Sequence, residues 1–249
     1  MSQMKWLPVI MITALVGLTA NAEPSRTFYS LENQFPRWEQ LEVGLTAEVS
    51  EQSIGRSDVD VTETSVYARY GLLDDLAVFV DIPILEVDPD FGDSETGLGD
   101  IELGFQLRAY EDIFEYPYFL PYVTMSLPTG DEDDGLGAGD PVYRGGISYG
   151  STIHDWIDWV LDVSYQINPD DNNQLIVGHS YVWNLSDSFA ILTEFLYREA
   201  ELDLLDDDFL ISGGFNYNWT RDLEMAVSVA GGLEGPTDLE GKARISYSF

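Results

Sequence analysis

From Trp38 to the end of the chain, apolar residues recur at every second position through segments of roughly 10 to 13 residues, separated by clusters of Gly, Pro, Asn and Asp. That period belongs to β-strands, because successive side chains leave opposite faces, whereas a helix repeats every three to four residues. The clearest segment is Gly99–Tyr110, with Ile101, Leu103, Phe105, Leu107 and Ala109 on one face and Asp100, Glu102, Gln106 and Arg108 on the other. Trp156–Asn168 repeats the pattern, setting Ile157, Trp159, Leu161, Val163, Tyr165 and Ile167 against Asp158, Asp162, Ser164 and Gln166. Further segments at 38–51, 59–71, 76–87, 117–127, 142–152, 174–185, 189–200, 208–219, 223–233 and 239–249 bring the predicted total to twelve.

These segments are about twice as long as the strands of soluble proteins, which run to about 5–6 residues, and they match the length a tilted strand needs to cross a bilayer. Connections alternate as well. Short turns at Gly71–Asp75, Ile153–Asp155, Ser186–Ser188 and Thr220–Asp222 interleave with longer acidic loops such as Asp88–Leu98 and Pro128–Pro141. In bacterial outer-membrane barrels short turns mark the periplasmic rim and long loops the external one. The expected fold is therefore all-β: a transmembrane antiparallel up-and-down β-barrel of about twelve strands, spanning residues 38–249 and preceded by a periplasmic segment, 23–37. The competing fold is a soluble sandwich or lipocalin-like barrel with an apolar interior, which explains neither the strand length nor the loop parity.

Two further signals support export and membrane insertion. Met1–Ala22 places Lys5 before an apolar stretch from Trp6 to Leu18 and a small-residue site at Ala20-Asn21-Ala22. It reads as a signal peptide cleaved before Glu23 and is too short for a spanning helix. The final strand alternates strictly through Ala243, Ile245, Tyr247 and Phe249. Tyr247 and Phe249 resemble the terminal signal read by the bacterial barrel assembly machinery. With Tyr70, Phe119, Tyr149, Trp159, Trp183, Phe189 and Trp219 they are expected to form an aromatic belt at the short-turn rim.

The chain carries 45 acidic residues against 11 basic ones, a formal charge of −34, and it has no Cys. Such an acidic balance argues against nucleic acid as a partner. Catalysis has little to work with: His179 and Ser180 are strand neighbours pointing to opposite faces, and His154 lies in a turn beside Asp155. No enzymatic activity is expected. The run Asp131-Glu132-Asp133-Asp134 offers the oxygen ligands that Ca²⁺ or Mg²⁺ prefers. An EF-hand register from Asp131, however, places Gly135 and Val142 where ligands belong. Asp131, Asp133 and Asp134 are thus a candidate loose divalent site within a solvated acidic rim that borders lipopolysaccharide. The chain is otherwise expected to hold no cofactor.

The inward positions carry the candidate chemistry. Strand parity places Glu63, Arg69, Asp81, Asp100, Glu102, Arg108, Asp158, Asp162, Glu194, Arg198, Glu224, Lys242 and Arg244 in the lumen. Acids outnumber bases among them. They form either a network of ion pairs filling a narrow interior or a water-filled passage whose field favours cations and neutral polar solutes.

The motif Gly97-Leu98-Gly99-Asp100-Ile101-Glu102-Leu103-Gly104-Phe105, followed by Leu127-Pro128-Thr129-Gly130-Asp131 and Gly135-Leu136-Gly137-Ala138-Gly139-Asp140-Pro141, carries a family resemblance. The glycines superficially suggest phosphate-cradling loops, yet neither run opens a helix and both adjoin carboxylates that repel an anion. Over Val43–Phe249 the chain instead resembles a family of outer-membrane proteins labelled for the meta pathway of phenol degradation, whose members are commonly described as transporters. The resemblance implies an outer-membrane location and uptake of small, aromatic compounds. The expected function is a passive channel or uptake barrel for small solutes, aromatic or cationic. The alternative is a closed structural barrel whose acidic loops bind divalent cations, lipopolysaccharide or a partner.

Overall fold

The computed structural model describes residues 27–30, 35–54, 57–111, 117–154, 156–169, 172–200 and 206–249. Met1–Ala22 and the cleavage point before Glu23 lie outside the described residues. The chain runs through β1 (Leu41–Ile54), β2 (Ser57–Leu73), β3 (Leu76–Pro89), β4 (Glu95–Leu98), β5 (Ile101–Leu107), β6 (Tyr110–Glu111), β7 (Tyr118–Leu127), β8 (Val142–His154), β9 (Ile157–Ile167), β10 (Gln174–Ser186), β11 (Phe189–Arg198), β12 (Asp208–Asn218), β13 (Leu223–Glu234) and β14 (Thr237–Ser248). The strand pairings are antiparallel and follow sequence order, save that β3 pairs with β5 past β4, β5 pairs with β7 past β6, and β1 closes against β14 from Glu42↔Ser248 to Gln52↔Thr237. β4 and β5 both pair with β3, and β5 and β6 both pair with β7. These three pieces make one interrupted wall, so the fourteen segments build a closed barrel of twelve.

Closure matters because a bilayer core offers no water to an unpaired N–H or C=O, and a barrel leaves no edge. The two faces of the wall then divide by solvent. Val43, Leu45, Val66, Ile84, Phe105, Val123, Ile191 and Val229 are exposed on the outside, where lipid replaces water. The inside is polar and largely buried, with Ser65, Gln106, Ser148, Ser180, Glu194, Asn216 and Ser228 facing inward. This is the reverse of a soluble core.

The expected strands are found with boundaries shifted by a few residues, apart from the one with the cleanest alternation. The Gly99–Tyr110 segment is interrupted at Gly99-Asp100 and again at Arg108-Ala109. At the first break Thr129 replaces the missing ladder partner: its hydroxyl donates to the Gly99 carbonyl at 2.8 Å and accepts from Ile101 N–H at 3.0 Å. Asp100 turns away from the wall to accept N–H bonds from Thr129, Gly130 and Ala138 at 3.0, 2.9 and 2.8 Å.

At the short-turn rim the two ends of the barrel meet, with the Phe249 N–H donating to the Leu41 carbonyl at 2.8 Å. Rings gather there in contact: Tyr149 with Trp159, Trp156 with Trp183, Tyr217 with Trp219 and Tyr247 with Phe249, at centroid distances of 5.4, 5.7, 5.7 and 4.7 Å. The chain enters β1 from this rim after a bridge between Trp38 and Gly71. Position 71 must be glycine, because a Cβ would collide with the Arg37 carbonyl.

Candidate functional site

The residues ahead of β1 do not all lie outside the barrel. Thr27–Ser30 forms a strap inside the lumen, with Thr27, Tyr29 and Ser30 buried. The expectation of a periplasmic segment over 23–37 is corrected for these four residues. Glu194, in the middle of β11 and 0% exposed, is the anchor. Its Oε1 accepts the backbone N–H groups of Phe28 at 2.8 Å and Tyr29 at 3.0 Å, and the Ser180 hydroxyl at 2.9 Å. Ser180 also shares a hydrogen bond of 3.0 Å with Ser30. A carboxylate holding three donors suits two successive peptide N–H groups that would otherwise be buried without acceptors.

The far end of the strap reaches β14. The Tyr29 hydroxyl donates to Glu240, the Tyr29 ring lies 4.9 Å from Lys242 Nζ, and Arg244 donates to the Thr27 carbonyl at 3.2 Å while sitting 5.0 Å over the Phe28 ring. Arg244 is in turn paired with Glu224 at 3.2 Å. Apolar contacts complete the seat: Tyr29 packs with Leu196, Leu210 and Ala230, and Phe28 with Val182, Ala190 and Leu192. On β10, Gly178 leaves room for the strap, since a Cβ there would run into the Tyr29 carbonyl. Nearer the short-turn rim Phe35 packs on Tyr118, Leu120 and Val160, under Arg108 at 4.9 Å.

The opposite side of the lumen differs. Glu48 faces Glu63 across β1 and β2, and Asp81 faces Glu102 across β3 and β5. Lys242 closes one end of this line, 3.0 Å from Glu48, and Arg144 the other, 3.4 Å from Glu102. Asp81 accepts from Ser65 at 3.0 Å. Between the two bases, Glu63 and Asp81 are only half-buried and no cation pairs with either among the described residues. Like charges placed directly opposite each other repel, and neither Glu63 nor Asp81 has an ion pair among the described residues to offset it.

The remaining sequence-predicted residues separate into three groups. Asp158 and Asp162 are buried and bonded, the first to Thr152 at 2.8 Å and Asn184 at 2.7 Å, the second to Tyr122 at 2.7 Å. Arg198 and Arg108 work at the two rims, Arg198 lying 3.7 Å from Asp208 and Arg108 3.5 Å from Asp75. Arg69 is buried with its guanidinium 5.4 Å from the Phe79 ring. Asp100 belongs to none of them, because its carboxylate is spent on the Pro128–Pro141 loop. That loop folds over the inward face of β4, with Leu136 buried 2.8 Å from where a Cβ on Gly97 would stand.

Three participants escaped sequence reasoning: Glu48, Arg144 and Glu240. Parity would have found each, since Glu240 shares a face with Lys242, Glu48 with Glu42, and Arg144 with Ser148. The strap gave no such signal.

Asp131, Asp133 and Asp134 do not converge, and no metal-binding group of three or more His, Cys, Asp or Glu occurs among the described residues. Asp131 Oδ1 is taken instead by the Asp133 N–H at 3.1 Å. Above the wall, the Ala200 N–H at 3.0 Å and the Tyr197 hydroxyl at 2.8 Å hold the Asp207 carboxyl below its usual range. His179 points outward among Trp159, Tyr181 and Phe195, at ring distances of 5.9, 4.8 and 6.2 Å, on the face opposite Ser180. Also outside, an apolar groove of about 650 Å³ crosses β2, β3, β5 and β7 between Tyr70 and Tyr143.

Comparison with known proteins gives this lumen a context. The family model described as "Putative MetA-pathway of phenol degradation" matches residues 40–249. No curated protein matches the sequence. Among solved structures, the COG4313 outer membrane channel from Pseudomonas putida F1 superposes with a TM-score of 0.68 at 15% identity, covering 91% of this chain and 100% of that one. The KdgM porin gives 0.60 at 8% identity over 84% of this chain and 99% of its own. The CymD monoaromatic hydrocarbon channel gives 0.51 at 8% identity over 87% and 90%. At these identities the likeness is one of fold.

Proposed function

We propose that this chain, which belongs to the family described as "Putative MetA-pathway of phenol degradation", is a passive outer-membrane channel for small solutes. Its passage runs along the inner face of β1, β2, β3 and β5. The observation that carries this reading is the half-buried pair Glu63 and Asp81, with which no base forms an ion pair among the described residues. A narrow aqueous path with a negative wall concentrates cations, admits neutral polar solutes and repels anions. A phenol passes such a wall, because its hydroxyl, with a pKa of about 10 as in tyrosine, is neutral at physiological pH. The fold it shares with a monoaromatic hydrocarbon channel and a porin is consistent with that class of cargo.

In this reading lipid covers the outer face, lipopolysaccharide borders the acidic rim, and the barrel assembly machinery inserts the chain through Tyr247 and Phe249. The alternative of a closed barrel draws on the strap, which fills the β10–β14 side. Reversal potentials in a planar bilayer under a salt gradient separate the two. The channel should be cation-selective, and Glu63→Gln with Asp81→Asn should cut the cation preference by about threefold or more. An electrically silent, well-folded barrel would favour the closed alternative, and anion selectivity would refute the acidic passage.

A further inference from the structure

We infer that an outward-facing groove centred on His179 binds a neutral hydroxylated aromatic molecule dissolved in the membrane, a ligand of the phenol class. The groove, about 450 Å³, lies on the lipid face of β10–β12 and is lined by Val177, His179, Tyr181, Phe195, Tyr197 and Phe209. It needs only lipid against the outer wall, so it stands or falls independently of conduction through the lumen.

His179 is the anomaly that points to a ligand. Trp183, in the short-turn belt, lies four residues further along β10, whereas Tyr197, opposite Val177, reaches the other rim, where its hydroxyl meets Asp207. The imidazole therefore sits between the two interfaces, with hydrocarbon in front of it. A neutral imidazole carries one N–H donor and one acceptor nitrogen, and His179 makes no hydrogen bond among the described residues. Polar atoms left unmet away from water cost free energy.

The neighbours of the imidazole are rings: Tyr181 at 4.8 Å, Trp159 edge-on at 5.9 Å and Phe195 at 6.2 Å. They hold His179 in place and leave it half-buried. The guest that suits both features has a flat ring for these faces and edges and one hydroxyl for the imidazole. That hydroxyl donates to the acceptor nitrogen where no water competes for it. An alkyl chain fills the groove without answering the imidazole, and an ion is excluded by the hydrocarbon itself.

The chain has two histidines, so a barrel labelled with ¹³C-histidine and reconstituted in lipid nanodiscs gives two imidazole signals, assigned with His179→Phe. Para-cresol and toluene are the probes, because they share a ring and a methyl group and differ by the hydroxyl. Para-cresol should move the His179 signal saturably and leave His154 unmoved. At equal concentration in the lipid, toluene should bind about tenfold more weakly. His179→Phe keeps an aromatic wall, so it should bind both probes alike, read as radiolabelled probe bound in excess of empty nanodiscs. Folding of the variant is checked first by heat-modifiability on a mild detergent gel. An equal response of the wild type to both probes would reduce the groove to an apolar surface and overturn the inference, as would a His179 signal that ignores para-cresol. A signal that shifts with the protein-to-lipid ratio when no probe is present would make a second copy of the chain the occupant, and would overturn it too.

Discussion

Glu194 and Glu63 are the same residue on the same inward parity of one barrel, and their fates are opposite. Glu194 is 0% exposed, holds three donors, and acts as a structural acceptor that pins peptide backbone. Glu63 is half-buried and faces Glu48, and in the proposed channel it acts through its field. Parity decides which solvent a side chain looks toward. Whether the carboxylate becomes a fastener or a source of potential depends on what else enters the lumen, and on the β10–β14 side the chain's own strap does so.

Exchanging these roles should be costly in one direction only. Glu194→Ala leaves the Phe28 and Tyr29 N–H groups and the Ser180 hydroxyl without their acceptor, so docking of the strap should weaken by about 3 kcal/mol. Native-state hydrogen exchange checks this: protection of the Phe28 and Tyr29 amides should fall about a hundredfold, while amides of β1–β3 keep theirs. Unchanged protection would mean that Glu194 is not the anchor.

A smaller effect is expected where buried acids hold only the wall. Asp158→Asn with Asp162→Asn should lower unfolding stability in urea by about 1–2 kcal/mol, through the Thr152, Asn184 and Tyr122 bonds. Ion selectivity should stay as in the wild type. A large change in reversal potential would place these two carboxylates in the passage after all.

The smallest effect distinguishes the open side most sharply. Glu63→Gln removes one of two like charges directly opposite each other, so stability should hold or rise by about 0.5 kcal/mol. A loss of more than about 1 kcal/mol in the same urea titration would show that Glu63 has a stabilising partner.

Much of this architecture was legible in the sequence, because lipid outside and water inside impose a strict period of two on every wall. Leu103 and Phe105 outward, Glu102 and Gln106 inward, follow from that period alone. Alternation is blind to the ladder, however, and Gly99–Tyr110 kept its pattern while its hydrogen bonds were broken to serve a loop. It is equally blind to partners: Asp158, Asp162, Glu63 and Asp81 look alike until Asn184, Tyr122 and the strap are in place. The strap itself could not be read, since four residues carry no period and Phe28 meets Glu194 across 166 positions.

The Gly99-Asp100 break bears on where this barrel could carry foreign sequence. Thr129 repairs the ladder and Asp100 gathers three N–H groups from the Pro128–Pro141 loop, so that loop is part of the wall's own bonding. An epitope grafted between Gly130 and Gly139 would pull the acceptor and its donors apart and open a seam between β4 and β5. The turn at Asp90–Asp93, between β3 and β4, owes the wall only the Asp90 N–H bond to the Asp58 carbonyl at 2.9 Å among the described residues. Surface display on this scaffold therefore belongs at Phe91–Asp93, one loop earlier than the length of the loops alone would recommend.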